Sequence, residues 1–144
     1  GHECRHNLNI WSGWDYVGVG PGAHGRLALS GDGAVRDWGT HQVHSPERWL
    51  SLVESKCHGT AKRRLLDDGD RAEERVIMGL RLTEGIDRTR FQAQTGRDVL
   101  TLINPSKLAY AVGAGYVDLD KTRIAATAEG RLRLNSLLAS LLAT

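Results

Sequence analysis

The clearest apolar periodicity lies in the second half of the chain. Over residues 71–82, Val76, Ile77 and Leu80 fall on one face of a 3.6-residue period, which predicts an amphipathic helix ended near Gly85. Asp87 predicts the cap of a second short helix reaching Gln94 and stopped by Gly96. Asn104-Pro105 predicts a third helix through Leu108, Ala111 and Val112, with Gly113 and Gly115 as its stop. Residues 116–119 and 122–126 predict a hairpin over Asp118-Leu119-Asp120-Lys121. Thr127 then predicts the cap of a closing helix, with Leu134, Leu137, Leu138, Leu141 and Leu142 at helical spacing. Three helices, a hairpin and a helix make a winged-helix-like order.

The first half is patterned differently. Residues 1–14 mix polar and aromatic side chains without a period and read as extended chain and loop. Tyr16-Val17-Gly18-Val19 predicts a short buried strand running into a turn at Gly20-Pro21-Gly22. Residues 26–30 and 34–38 alternate around Gly31-Asp32-Gly33, a hairpin signal. Ser45-Pro46-Glu47 predicts a helix start, with Trp49, Leu50 and Val53 on one face and an end near Lys56. Cys57-His58-Gly59-Thr60 is a break, which puts a boundary between about residues 56 and 70. The reading divides the chain into 1–45, 46–69 and 70–144. No internal repeat interrupts it.

Composition changes this picture little. With 144 residues, 40% hydrophobic and 25% charged, the chain can bury a core and is neither a disordered tail nor a disulfide scaffold. A formal charge of +2 gives no push toward nucleic acid or acidic membranes. Two cysteines, Cys4 and Cys57, fit a reducing compartment and predict a cytoplasmic protein. No apolar run is long enough to span a bilayer. The sole methionine is Met78, so the expectation is a fragment whose missing part lies upstream.

Candidate chemistry concentrates in the first twenty-six residues. Gly20-Pro21-Gly22-Ala23-His24-Gly25 fits the letter of a dinucleotide-binding glycine pattern, but a hairpin follows it where a helix N-terminus would have to meet the pyrophosphate. The remaining readings are a tight turn, or bare backbone that lets a flat ligand approach. His2-x-Cys4-x-His6 would align three metal-type side chains if the segment were extended, although no fourth ligand is evident. His41-x-x-His44 and Cys57-His58 read as surface loop residues, and Lys62-Arg63-Arg64 as a solvated basic patch. The 104–114 helix offers one lysine, which argues against the winged-helix nucleic-acid-binding module that the element order invites.

The segment Cys4-Arg5-His6-Asn7-Leu8-Asn9-Ile10-Trp11, followed by Asp15-Tyr16-Val17-Gly18-Val19-Gly20-Pro21-Gly22-Ala23-His24, resembles the oxygen-independent coproporphyrinogen III oxidase-like radical SAM family. The likeness is to its haem-chaperone branch above all. Glu74 through Met78-Gly79-Leu80-Arg81-Leu82-Thr83-Glu84-Gly85-Ile86, and Thr127-Ala128-Glu129-Gly130-Arg131, agree with it, so it covers essentially the whole chain.

The resemblance implies an α+β fold: the terminal strands of a truncated (β/α) radical SAM barrel, followed by the winged-helix-like C-terminal domain. It implies a 4Fe-4S cluster and S-adenosylmethionine in the barrel of the full-length protein. The cluster's C-x3-C-x2-C cysteines are absent here, so this piece alone should not run radical chemistry, and it assigns no catalytic residue. The branch's H-N-x-x-Y-W haem motif maps to His6, Asn7, Ile10 and Trp11, with Ile10 in the tyrosine position. Haem as cargo would then meet His6 as axial ligand, Asn7 as its orienting partner and Trp11 as a packing wall. Val17, Gly18, Gly20, Gly22 and His24 would lie near S-adenosylmethionine or the tetrapyrrole. Trp11, Trp14, Tyr16 and Val17 would leave apolar barrel-facing surface uncovered. The implied function is haem delivery to haem-requiring acceptor proteins, with peripheral membrane association admitted for the full-length protein. The alternative within the family is oxidative decarboxylation of coproporphyrinogen III to protoporphyrinogen IX.

Overall fold

The computed structural model describes residues 4–31 and 34–143. The fold is α+β. In chain order it comprises α1 (Arg5–Trp11), β1 (His24–Gly31), β2 (Ala34–Gln42), α2 (Pro46–Lys56), β3 (Thr60–Leu65), α3 (Asp68–Gly79), β4 (Ile86–Asp87), α4 (Arg88–Thr95), α5 (Pro105–Gly113), β5 (Val117–Leu119), β6 (Arg123–Ala126), α6 (Ala128–Leu132) and α7 (Leu134–Leu141). A 3-10 turn at Val99–Leu102 separates α4 from α5. Two units are resolved: a sheet unit, Trp14–Asp67, and a helical unit, Gly1–Gly13 with Asp68–Thr144.

The helical unit owes its shape to local signals that agree with a single core. Asp87 Oδ1 accepts the Arg90 amide at 2.7 Å to start α4, and Asn104 Oδ1 accepts the Ser106 and Lys107 amides to start α5. Thr127 Oγ1 accepts the Gly130 amide at 3.1 Å and donates to the Gly115 carbonyl, so one hydroxyl both caps α6 and ties it back to the turn before β5. Val76, Leu80, Val99, Ile124 and Leu141 are fully buried in one cluster. The small sheet runs β4-β6-β5, with Ile86 opposite Ile124 and Val117 opposite Ala126. Asp120 Oδ1 closes the predicted hairpin by accepting from the Thr122 amide, the Thr122 hydroxyl and the Arg123 amide.

Three expectations for this unit are corrected. The amphipathic helix runs over Asp68–Gly79 and not over residues 71–82, so Leu80 and Leu82 are buried from the turn after it. The closing helix is two helices, because Arg133 leaves the helical conformation and its amide tightens to the Gly130 carbonyl at 3.0 Å. Residues 5–11, expected as loop, form α1, which packs on α3. Cys4 stands at the N-cap of α1 without a side-chain capping bond, so tertiary packing and not a local cap holds this helix.

The sheet unit is an antiparallel meander, β1-β2-β3. Its register sets Leu27 opposite Trp38 and Trp38 opposite Leu65, an apolar row across one face. The alternate positions set His24 opposite His41 and His41 opposite Lys62. Ser45 Oγ accepts the Arg48 amide to start α2, as its sequence predicts. Leu50 nevertheless points outward, and Cys57 ends the helix with left-handed backbone at φ 61°. Thr60–Leu65, expected within a break, is a strand. Tyr16-Val17-Gly18-Val19 is not a buried strand: it contributes one bridge, Tyr16 to Arg26, and leaves Val17 and Val19 exposed. Among the described residues of this unit, Leu66 is the one buried hydrophobic side chain, and Trp14 is 62% exposed. Asp32 and Gly33, at the tip of the predicted hairpin, lie outside the described residues.

Candidate functional site

Helix α1 gathers His6, Asn7 and Trp11 within seven residues. Asn7 and Trp11 are four apart and share a face, while His6 and Ile10 form the neighbouring pair. His6 and Asn7 are exposed and Trp11 is half-buried. Trp11 borders a cavity of about 360 Å³ whose lining includes Gly13, Arg75, Ile86, Phe91 and Arg123. Gly13 is in left-handed backbone at φ 80°, and a Cβ there would strike the Arg75 guanidinium. Glycine therefore admits a cation to the carbonyl end of α1, where the helix dipole favours positive charge. Arg75 Nη1 also donates to Gln94 Oε1 at 3.0 Å. Arg75, Arg90 and Arg123 in this lining were not singled out from the sequence, because they come from α3, α4 and β6 and only the fold gathers them.

The glycine loop is built largely against its own strands. A Cβ on Gly18 would collide with the His24 carbonyl, and one on Gly25 would lie 2.5 Å from Thr40 Oγ1. Gly22, at φ 70°, passes close to the His44 ring, and its amide donates to the Val43 carbonyl at 2.9 Å. Gly20, at φ 104°, is the loop glycine whose missing side chain faces open space. The structure thus places a tight turn at residues 20–23, closed by the Ala23 amide on the Gly20 carbonyl at 3.2 Å, with close backbone packing at Gly18 and Gly25 and open space beside Gly20. No helix follows, in keeping with rejection of the dinucleotide pattern.

The histidines assemble in an order that the sequence hides. His24 and His41 stack with ring centroids 4.3 Å apart, and His44 meets His41 edge-on at 4.6 Å. His41 therefore stands in a strand and not in a loop. Its Nε2 is buried without a hydrogen-bond partner. Burial, then His24, His44 and Lys62, hold its pKa below the ordinary imidazole value.

Metal chemistry finds no ligand set here. His2 lies outside the described residues, Cys4 precedes a helix and His6 stands within it, so the strand alternation behind His2-x-Cys4-x-His6 does not apply. Among the described residues no three His, Cys, Asp or Glu side chains converge for a metal ion. Cys4 and Cys57 are free, exposed and in separate units, and two thiols do not supply the cysteine set of a 4Fe-4S cluster. No described helix is long and apolar enough to cross a membrane.

Comparison with known proteins bears on the whole of this arrangement. Residues 66–133 match the family described as HemN C-terminal domain. Over 147 residues the chain is 33% identical to the Heme chaperone HemW of Escherichia coli (strain K12), covering 99% of this chain and 35% of that protein. It is 29% identical to the Heme chaperone HemW of Bacillus subtilis (strain 168), covering 99% and 35%. It is 33% identical to the Radical S-adenosyl methionine domain-containing protein 1, mitochondrial, of Danio rerio, covering 96% and 32%. The chain spans about a third of the length of these curated relatives. The solved structure titled "Coproporphyrinogen III oxidase (HemN) from Escherichia coli is a Radical SAM enzyme" superposes with a TM-score of 0.62 at 21% identity, over 88% of this chain and 28% of that one. That likeness is one of fold.

Proposed function

We propose, from the match of residues 66–133 to the family described as HemN C-terminal domain, that the chain is the C-terminal part of a haem chaperone, which binds haem and passes it to haem-requiring proteins. The observation that carries the reading is the extent of its likeness to proteins named Heme chaperone HemW: 99% of this chain, α1 and the glycine loop included. In this reading His6 supplies an imidazole to haem iron from the exposed side of α1, Asn7 orients it, and Trp11 walls the macrocycle. Arg75, Arg90 and Arg123, around the cavity that Trp11 borders, are placed to pair with haem propionates.

The full-length protein would hold its 4Fe-4S cluster and S-adenosylmethionine elsewhere, since this chain's cysteines do not fit the cluster. S-Adenosylmethionine with such a cluster supplies one-electron chemistry when bound. The part proposed for this chain is contact through Val17, Gly20 and His24, with Gly18 and Gly22 shaping the loop. We place the protein in the cytoplasm, where the thiols of Cys4 and Cys57 stay reduced.

Haem titration of the chain and of His6→Ala, followed at the Soret band, tests the assignment. Saturable binding that His6→Ala abolishes is expected. An unchanged spectrum in His6→Ala removes His6 as ligand, and no saturable binding by the folded chain removes the haem site from this part of the protein.

A further inference from the structure

The sheet unit holds a cavity of about 540 Å³ where α2 meets β2 and β3. Six basic side chains line it: His41 from the end of β2, His44 from the connection to α2, Arg48 and Lys56 from α2, His58 from the following turn, and Lys62 from β3. None of its described lining residues is acidic. Glu47, the acidic residue in the first turn of α2, is engaged instead by the Ser45 hydroxyl at 3.0 Å.

The crowding is structural. Strand register puts Lys62 directly across from His41, and His24 across from His41 on its other side. Strand alternation sends Arg63 to the opposite face, so the basic run at 62–64 is divided between two surfaces. At the centre stands His41, stacked on His24, edge-on to His44, with a buried Nε2 that no protein group satisfies. A buried polar nitrogen without a partner is costly, and so is a concave set of cations without a counter-charge. A compact anion in the cavity supplies the missing counter-charge.

We infer that this cavity is a binding site for a compact polyvalent oxyanion of the phosphate or pyrophosphate class. A phosphoryl group presents several acceptor oxygens on one small centre, which suits donors converging from a helix, a strand pair and a turn. A carboxylate presents two. All of its lining residues belong to the sheet unit, so the inference does not rest on haem binding at α1. Oxyanion binding should draw protons onto the imidazoles. His24, His44, Lys62, Arg48, Lys56 and His58 surround His41 or share its cavity, and burial first, then His24, His44 and Lys62, hold the His41 pKa below its ordinary value.

The test is titration of the full chain with inorganic pyrophosphate, followed by amide chemical shifts at about pH 6 and about pH 7.5. Saturable shifts confined to residues 41–62 and to residues 22–24, which pack on His41 and His44, are expected, with affinity about threefold or more tighter at the lower pH. Lys62→Gln and Arg48→Gln should each weaken binding by about fivefold or more. His41→Gln should flatten the pH dependence, and unperturbed sheet resonances show that each variant is folded. Arg97→Gln, in the helical unit, controls for net charge. Absence of saturable shifts, shifts outside this region, or equal weakening by Arg97→Gln overturns the proposal. A parallel titration with adenosine diphosphate separates the sources. Tighter binding than pyrophosphate assigns the site to a nucleotide's phosphoryl end, and weaker binding assigns it to the free oxyanion.

Discussion

Arg88 Nη2 donates to Asp98 Oδ2 at 2.7 Å, joining the first turn of α4 to the residue that opens the 3-10 turn. Both partners do a second job. Asp98 Oδ1 accepts the Leu100 amide at 3.1 Å as the cap of that turn, while Arg88 Nη1 reaches the carbonyls of Asp120 and Lys121 in the hairpin.

Asp98→Ala should therefore cost about 1–2 kcal/mol, the range of a lost cap, measured by urea unfolding. The Arg88 hydrogen bond first, and the Leu100 amide second, hold the Asp98 carboxyl below its ordinary pKa. Its contribution is present above the unfolded-state pKa and is lost as pH falls through the depressed folded value. The variant should accordingly lose less stability than the parent below about pH 4. Parallel acid profiles for the two proteins would remove Asp98 from this role.

His41 also loses stability on acidification, in a higher pH window, though here the cause is burial of an imidazole and not a favourable bond to its charged form. Its folded pKa is lowered, so on acidification the unfolded chain takes up a proton that the folded chain resists. The sheet unit should lose stability as pH falls below about 6.5, and His41→Gln should shrink that loss. Melting curves across this window, read from a tryptophan of the sheet such as Trp38, give the comparison. Equal acid sensitivity in the variant would leave His41 without a part in it.

At Gly130 a Cβ would collide with the Tyr116 carbonyl, inside a helix where alanine is otherwise the better residue. Gly130→Ala should destabilise by about 1–3 kcal/mol through overpacking. Gly113→Ala meets open space within α5 and should be neutral or stabilising. Chemical denaturation of the pair checks both signs.

The proposed function maps Ile10, on α1 beside Trp11, to a tyrosine position of the haem motif. On the proposed function, Ile10→Tyr restores a phenolic hydrogen bond and should tighten haem binding by about fivefold, equivalent to about 1 kcal/mol. An unchanged dissociation constant in a Soret titration would mean that this position does not meet the cargo.

Much of the helical unit is legible residue by residue. Asp87, Asn104 and Thr127 announce their helices because each cap is a local bond between a side chain and amides two or three residues on. Val76 and Leu80 are inward as their spacing predicts. Helix α1 is hidden because it has neither a capping side chain nor an acidic first turn. Strand β3 is hidden because Lys62-Arg63-Arg64 carries charge on both faces, which removes the apolar alternation that marks a half-buried strand. The His24–His41 stack depends on strand register over seventeen positions of sequence, from 24 to 41, and no local pattern encodes that. The same holds for the arginines beside Trp11, whose elements lie far apart along the chain.

Cys57 sits where a helix ordinarily ends in glycine, and its thiol is exposed between Lys56 and His58, both of which line the basic cavity. In a Cys4→Ser background the chain keeps a single attachment point for a thiol-reactive fluorophore, at the rim of a cavity that is otherwise spectroscopically silent. A backbone turn that the side chain only tolerates thus becomes an optical handle, and the arrival of an anion could be timed as well as weighed.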